Sequence, residues 1–316
     1  MDEFNLIEKY FVWDRSPPNV AISIGDDAAI LNVPVNKQLV TSIDTLISGV
    51  HFPQNTPPDA IGHKALAVNL SDLAAMGATS HWFTLALTLP EIEKQWLEGF
   101  SAGLKSLAEN HQCFLVGGDT TRGPLSISIQ VMGSVEKGKA LLRSGAKVGD
   151  KIYVTGTLGD AKAGLESILN GSKILSLDDR QFCEEKLNYP TPKLIESEII
   201  KDYASSCIDL SDGLLQDLSH ILKASKVGAE ISLTALPFST ALKTLDKKKA
   251  QGFALAGGDD YELLFTVSPD NELPLLKEMK GKVSCIGIIN NKLNQIIDKT
   301  GQSLEAKGYN HFHVRT

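Results

Sequence analysis

Where an apolar run of this sequence breaks off, an aspartate tends to follow, usually beside glycine. Asp26 and Asp27 follow Ile24 and Gly25, and Asp44 ends the run LVTSID. Asp119 follows Gly117 and Gly118, Asp209 and Asp212 straddle the switch from SSCIDL to DGLLQDL, and Asp259 and Asp260 follow Gly257 and Gly258. Asp72 lies inside a helical stretch that also holds Asn69. Carboxylates set at strand ends among glycines gather on one rim of an α/β or mixed sheet, where ligands bind.

The segments between these aspartates alternate in type. LVTSIDTLI (39–47) and LSISIQVMGSV (125–135) are rich in β-branched residues and read as strands, the second alternating as a half-buried strand does. Between them a helix starts near Asp59, an expected N-cap after Pro57 and Pro58. Its apolar residues Ile61, Ala65, Val68 and Leu73 keep helical spacing, and Gly77 stops it. A second helix is expected from about Glu91 to Asn110, followed by CFLVGGDTT as strand and loop. The turn-rich RSGAKVGDK (143–151) marks a boundary, giving domains 1–148 and 149–316. Beyond it, KIYVTGTLGDAKAGLESIL and SSCIDLSDGLLQDLSHILKAS each run from strand through a turn into helix, and KVSCIGII adds a late strand. The fold class is mixed α/β.

Two domains also suit a chain of 316 residues, which is long for one core. Hydrophobic residues at 42% and charged residues at 22% exclude a disordered chain. Asp and Glu total 38 against 31 for Lys and Arg, and this acidic balance argues against a nucleic-acid binder. An anionic substrate could still bind across metal ions. No apolar run reaches the roughly 18 residues that span a bilayer, so no membrane association is expected. MDEFNLIEKYFVWDR does not read as a signal peptide. Cys113, Cys183, Cys207 and Cys285 form no C-x-x-C pair and are expected to be reduced, buried thiols, as suits the cytoplasm.

Any single aspartate here is explained by turn or capping chemistry. Asp44, Asp72, Asp119, Asp209 and Asp212 together favour metal ions, because clustered carboxylates do not all stay ionised without cations. Hard oxygen ligands without Cys or His support indicate Mg²⁺ or Mn²⁺, which also recruit waters and substrate phosphates. No G-x-x-x-x-G-K-[ST] or G-x-G-x-x-G occurs, and Gly156-Thr157-Leu158-Gly159 is only a weak phosphate turn. The H-R-D and D-F-G pair of protein kinases is absent. Asp209 and Asp212 stand three apart, not the two-apart pair of an aspartyl-phosphate enzyme. What remains is metal-assisted chemistry on phosphate.

Eight motifs in order then resemble the thiamine-phosphate kinase family across essentially the whole chain. They are GDDAA (25–29), TSIDT (41–45), GVHF (49–52), NLSDLAAMG (69–77), GGDTT (117–121), IDLSDG (208–213), GGDDYEL (257–263) and GYNHF (308–312). The resemblance implies the two-domain aminoimidazole-ribonucleotide synthetase-like fold, a homodimer paired through the N-terminal domains, and ATP in a cleft beside that interface. It implies transfer of the ATP γ-phosphoryl group to thiamine phosphate, with several Mg²⁺ ions. Carried over residue by residue, Asp27, Ser42, Ile43 (through its backbone), Asp44, Asp72, Asp119, Asp209 and Asp212 are the implied magnesium ligands. Gly118, Asp119, Arg143 and Ser211 are the implied ATP contacts, and His51, Asp259 and Tyr309 the implied contacts to thiamine phosphate. The family usually has Glu where this chain has Asp259, so Asp260 is kept as an alternative.

Read without the resemblance, His51 is a loop histidine, His311 and His313 are solvated near the terminus, and Tyr309 and Phe312 dock the tail. An aromatic face beside a carboxylate does suit a thiazolium cation, which favours Tyr309. Competing functions are a sister ATP-dependent synthetase and a non-catalytic nucleotide or metal sensor. A selenophosphate synthetase would carry a reactive cysteine near its start, whereas the first here is Cys113.

Overall fold

The computed structural model describes residues 3–13, 17–171, 174–306 and 308. They divide into two compact units: residues up to Leu73 with Ala78–Ala140, and Ala74–Gly77 with Leu141 onward.

The first unit runs α1 (Glu3–Tyr10), β1 (Val20–Ile22), β2 (Ile30–Leu31), β3 (Lys37–Ile47), α2 (Pro58–Ala75), β4 (Thr79–Leu89), α3 (Lys94–Asn110), β5 (Phe114–Arg122) and β6 (Ser126–Glu136). β1 and β2 form a small antiparallel ribbon, and the other strands make a sheet of order β3-β6-β4-β5. β6 pairs antiparallel with both β3 and β4, and β5 lies parallel to β4 at the far edge. Alternation decides the two faces. Leu46, Phe83, Leu85, Leu87, Ile127, Ile129 and Val131 are buried on the face that α2 covers. On the other face β3 leaves Leu39, Ile43 and Ile47 exposed by 49%, 62% and 41%.

Strand β4, TSHWFTLALTL, was not anticipated, although Phe83, Leu85, Leu87 and Leu89 alternate along it. α2 begins at Pro58, so Asp59 sits in its first turn and is not the N-cap; the Ile61 N–H already donates to Pro57 O. Proline preorganises the first helical position, and Asp59 faces the positive end of the helix. β5 also runs straight through Gly117-Gly118-Asp119 to Arg122, where a loop was expected. α2 is buried almost all round, with Ala60, Ala65, Leu66, Leu70 and Leu73 beside polar Lys64, Asn69 and Ser71. It meets α3 through glycines: a Cβ on Gly62 would sit 2.1 Å from Phe100 O, and one on Gly103 1.9 Å from Asp59 O.

The second unit runs β7 (Lys151–Thr155), α4 (Asp160–Asn170), α5 (Leu177–Asn188), α6 (Leu194–Ile200), β8 (Ala204–Asp209), α7 (Leu214–Ser225) and β9 (Gly228–Ile231). It continues with α8 (Thr240–Lys243), α9 (Lys247–Ala256), β10 (Leu263–Val267), α10 (Pro269–Met279), β11 (Val283–Asn290) and β12 (Ile296–Asp298). The sheet order is β12-β9-β11-β7-β10-β8, antiparallel except for β12 against β9. Both faces are covered. Ile152, Val154, Ile208 and Leu264 join α7 residues in one core, while Tyr153, Cys207, Leu263, Phe265 and Val267 join α10 residues in another. Two covered faces explain why LLFTV is buried throughout and does not alternate. Cys113, Cys183 and Cys207 are buried, but Cys285 is exposed at β11, contrary to expectation, because that strand is only partly covered there.

The α2–α3 contact leaves no room for a methyl group at Gly103. Gly103→Ala is expected to cost about 1–3 kcal/mol by overpacking. Urea unfolding measures it, and an unchanged midpoint would contradict the close approach.

Candidate active site

In the first unit, β3 and α2 bring three of the expected residues together. The Ser42 hydroxyl donates to Asp72 Oδ2 at 2.6 Å, and the Asp44 N–H donates to Asn69 Oδ1 at 3.1 Å. Asn69 is fully buried and its amide donates to Ala65 O at 2.9 Å, one turn back along α2. It thereby fixes the backbone that presents Asp44, a role that helical spacing alone does not reveal. Ile43, between these two, turns its side chain to the uncovered face. Asp27 stands exposed between β1 and β2, its N–H donating to Asp26 Oδ1 at 2.9 Å.

His51 closes a turn that follows β3. Its Nδ1 accepts the Ile47 N–H at 2.9 Å, so the neutral ring carries its hydrogen on Nε2. Asp119 is exposed on β5, in register with Ala86. Gly118 before it has φ +154°, and a Cβ there would lie 1.9 Å from Leu85 O, so only glycine lets β5 approach β4 this closely. β3 and β5 are opposite edges of the sheet. Three strand spacings, roughly 14 Å, therefore separate Asp44 from Asp119 within one chain.

In the second unit, Asp209 is buried at the end of β8, and Ser211 and Asp212 are half-buried in the turn before α7. Asp217 reaches back from the first turn of α7, its Oδ2 accepting the N–H groups of Asp212 and Gly213, each at 3.1 Å. The Gln216 amide donates to Asp212 Oδ2 at 2.9 Å. Both supporting residues escaped the sequence reading. The available signal was an acid in the first turn of a helix whose start, Gly213, has no side chain to cap it. Arg143 is exposed, and its charge acts on Asp217 and His220, which sets it beside α7. The loop 257–262 adjoins the same turn, since the Asp259 N–H donates to Ser211 O at 2.9 Å. Asp260 differs from Asp259: both of its carboxylate oxygens accept the Gly159 N–H, at 3.0 and 2.8 Å. Tyr309, His311, Phe312 and His313 lie outside the described residues. A Cβ on Gly308 would be 2.6 Å from Asp212 O and 2.5 Å from Gln216 Oε1, so the backbone there lies against the Asp212 turn.

Among the described residues no three His, Cys, Asp or Glu side chains form a ready-made metal cage. The donor set nevertheless fits Mg²⁺. Ser42 and Asp72 offer adjacent oxygens, and magnesium takes one or two carboxylates together with waters and substrate phosphates.

Burial, and next the neighbouring Asp212, push the Asp217 carboxyl up to about 7. A group raised in this way keeps its proton in the folded chain after the unfolded chain has lost it. Its contribution is most favourable below its ordinary value of 3.8 and is lost as pH climbs toward 7. Asp217→Asn removes that loss. Melting of the metal-free proteins should show the variant gaining on the wild type between about pH 4 and about pH 7. A pH-independent difference would contradict this reading of Asp217.

Comparison with known proteins identifies the family. Residues 25–135 match the model for the N-terminal domain of AIR synthase related proteins, and residues 147–297 match the C-terminal domain. The chain is 46% identical to the thiamine-monophosphate kinase of Escherichia coli (strain K12), over 98% of each. It is 34% identical to that of Bacillus subtilis (strain 168), over 99% of this chain and 100% of the relative. The crystal structure of the thiamine-monophosphate kinase from Stenotrophomonas maltophilia K279a superposes with a TM-score of 0.85 at 43% identity, covering 91% of this chain and 93% of that one. AaThiL complexed with AMPPCP and TMP superposes at 0.80 with 34% identity, over 92% of each chain. The chain belongs to the thiamine-monophosphate kinase family, built on the two AIR synthase related domains.

Proposed function

We propose that this enzyme makes thiamine diphosphate by direct, in-line transfer of the ATP γ-phosphoryl group onto the phosphate of thiamine phosphate. An acceptor oxygen attacks the γ-phosphorus while the bond to the β,γ-bridging oxygen breaks, giving thiamine diphosphate and ADP. The acceptor oxygen is already ionised, so no side chain has to remove a proton. Positioning and charge neutralisation supply most of the catalysis in such reactions. When bound, Mg²⁺ neutralises phosphate charge, and Asp27, Ser42, the Ile43 carbonyl, Asp44, Asp72, Asp119, Asp209 and Asp212 are the residues that would hold it.

The other residues divide the work. Arg143 pairs with the ATP phosphates as a fixed cation, and Gly118 and Ser211 meet the nucleotide through closely approaching backbone and hydroxyl. His51 offers Nε2–H to the acceptor phosphate as a neutral donor, in the tautomer set by Ile47. Asp259 faces the thiazolium cation, and Tyr309 offers it an aromatic face. The relative crystallised with AMPPCP and TMP supports this choice of substrates. A cytoplasmic setting is supported by cysteines that are all free; among the described residues no helix is long and apolar enough to cross a membrane.

The observation that carries a homodimer is the edge-to-edge separation of Asp44 from Asp119. A second copy whose β5 edge runs beside the β3 edge would bring one carboxylate from each chain toward a shared set of metals, and its sheet would lie over the uncovered face. The exposed Leu39, Ile43 and Ile47 would then be covered.

A coupled ADP assay with Mg·ATP and thiamine phosphate, thiamine or no acceptor tests the reaction. Product is expected only with thiamine phosphate, since thiamine brings neither the anionic nucleophile nor the phosphate contacts. Asp212→Asn should lower turnover by about 10²–10³ or more while leaving the melting temperature nearly unchanged. Wild-type turnover in that variant would remove Asp212 from the site, and a phosphorylated residue trapped during turnover would refute direct transfer.

A further inference from the structure

The loop 257–262 is laced to the turn that carries Asp209 and Asp212. Leu210 N–H donates to Glu262 O at 2.8 Å, Tyr261 N–H to Leu210 O at 2.9 Å, and Asp259 N–H to Ser211 O at 2.9 Å. A Cβ on Gly258 would lie 2.4 Å from Ser211 O, so the two segments touch along their backbones. This course forces Asp259 to φ 68° and Tyr261 to φ 48°. Left-handed backbone is unfavourable for a residue with a side chain, most of all a bulky one, and persists only where surrounding contacts impose it.

Asp260, between these two residues, supplies such a contact. Its carboxylate takes the Gly159 N–H with both oxygens at the start of α4, where Gly159 has no side chain to cap the helix. The neighbouring Glu262 is fixed as well, accepting the Thr155 hydroxyl at 2.5 Å and pairing with Lys193 at 3.0 Å. Asp260 and Glu262 share a cavity of about 10 Å³ with Thr157, Asp160, Lys186, Thr191 and Lys193. That holds about one water and neither a thiazolium ring nor a phosphate. Burial first, with the carboxylates of Asp160, Glu262 and Asp259, pushes the Asp260 carboxyl well above its ordinary value, against the Gly159 N–H that lowers it. A neutral side chain of the same shape is therefore a close substitute.

We propose that Asp260 is a positioning residue: by gripping the Gly159 N–H it locks the strained loop, aims Asp259 at the acceptor and braces the Asp209–Asp212 turn. This rests on the phosphotransfer reading given above, and it removes Asp260 from the substrate contacts.

The test compares Asp260→Ala, Asp260→Asn and Asp259→Asn with the wild type, reading kcat and KM for thiamine phosphate alongside amide hydrogen exchange at Gly159, Leu210 and Tyr261. Asp260→Ala is expected to raise KM about tenfold or more and to speed exchange at all three amides. Asp260→Asn keeps an acceptor oxygen and should restore KM to within about threefold, with slow exchange, whereas Asp259→Asn should raise KM with slow exchange. If Asp260→Asn instead raises KM as far as Asp259→Asn does while exchange stays slow, the Asp260 charge touches substrate and the proposal is overturned. Wild-type KM and exchange in Asp260→Ala would overturn it equally. Should Asp260→Ala not fold, the Asn variant alone decides. If the wild type transfers nothing to thiamine phosphate, the reaction assignment falls, and exchange at Gly159 still judges the anchor.

Discussion

Mutual repulsion among carboxylates is the constraint around which this structure is arranged. On the proposed reading the site holds several cations and needs many aspartates, yet an empty cluster of them would neutralise itself by binding protons. The fold answers by distribution. Asp44 and Asp119 lie on opposite edges of the first sheet. On the proposed reading, Mg·ATP and a second copy of the chain bring Asp44 and Asp119 to one site.

Distribution alone would leave each carboxylate loosely held, and local hydrogen bonds correct that. Asn69 holds the backbone at Asp44, Ser42 donates to Asp72, and Asp217 with Gln216 holds the turn at Asp212. Asn69, Asp217 and Gln216 sit on α2 and α7, elements locked into the apolar cores, so much of the precision of the site derives from helix packing. Buried polar groups such as Asn69 and Asp217 are tolerable only because each is satisfied. Buried carboxylates set against other carboxylates leave the metal-free second unit favouring lower pH.

Much of this was legible in the sequence. The strands around Asp44 and Asp209 and the helices that follow them showed through β-branched runs and helical spacing, and the eight motifs identified the family. β4 was overlooked because Trp82, Phe83 and the leucines that follow form a stretch between two helices with no turn signal inside it. The placement of Asp260 was not legible either. Two adjacent aspartates look alike as letters, and only backbone left-handed at Asp259 and Tyr261 leaves the first accepting the Tyr261 hydroxyl and sends the second onto α4. The separation of Asp44 from Asp119 depends on strand order, which local sequence does not encode. Tyr309 falls outside the described residues.

The most direct test of the shared site is subunit complementation. Asp44→Asn and Asp119→Asn proteins are purified separately, shown to be inactive, mixed, dissociated and allowed to reassociate. If one carboxylate comes from each chain, half of the dimers become mixed and each mixed dimer regains one of its two sites. The account predicts recovery of about a quarter of wild-type activity. Mixing that restores nothing, although mixed dimers demonstrably form, would show that both carboxylates act within one chain and would contradict the account.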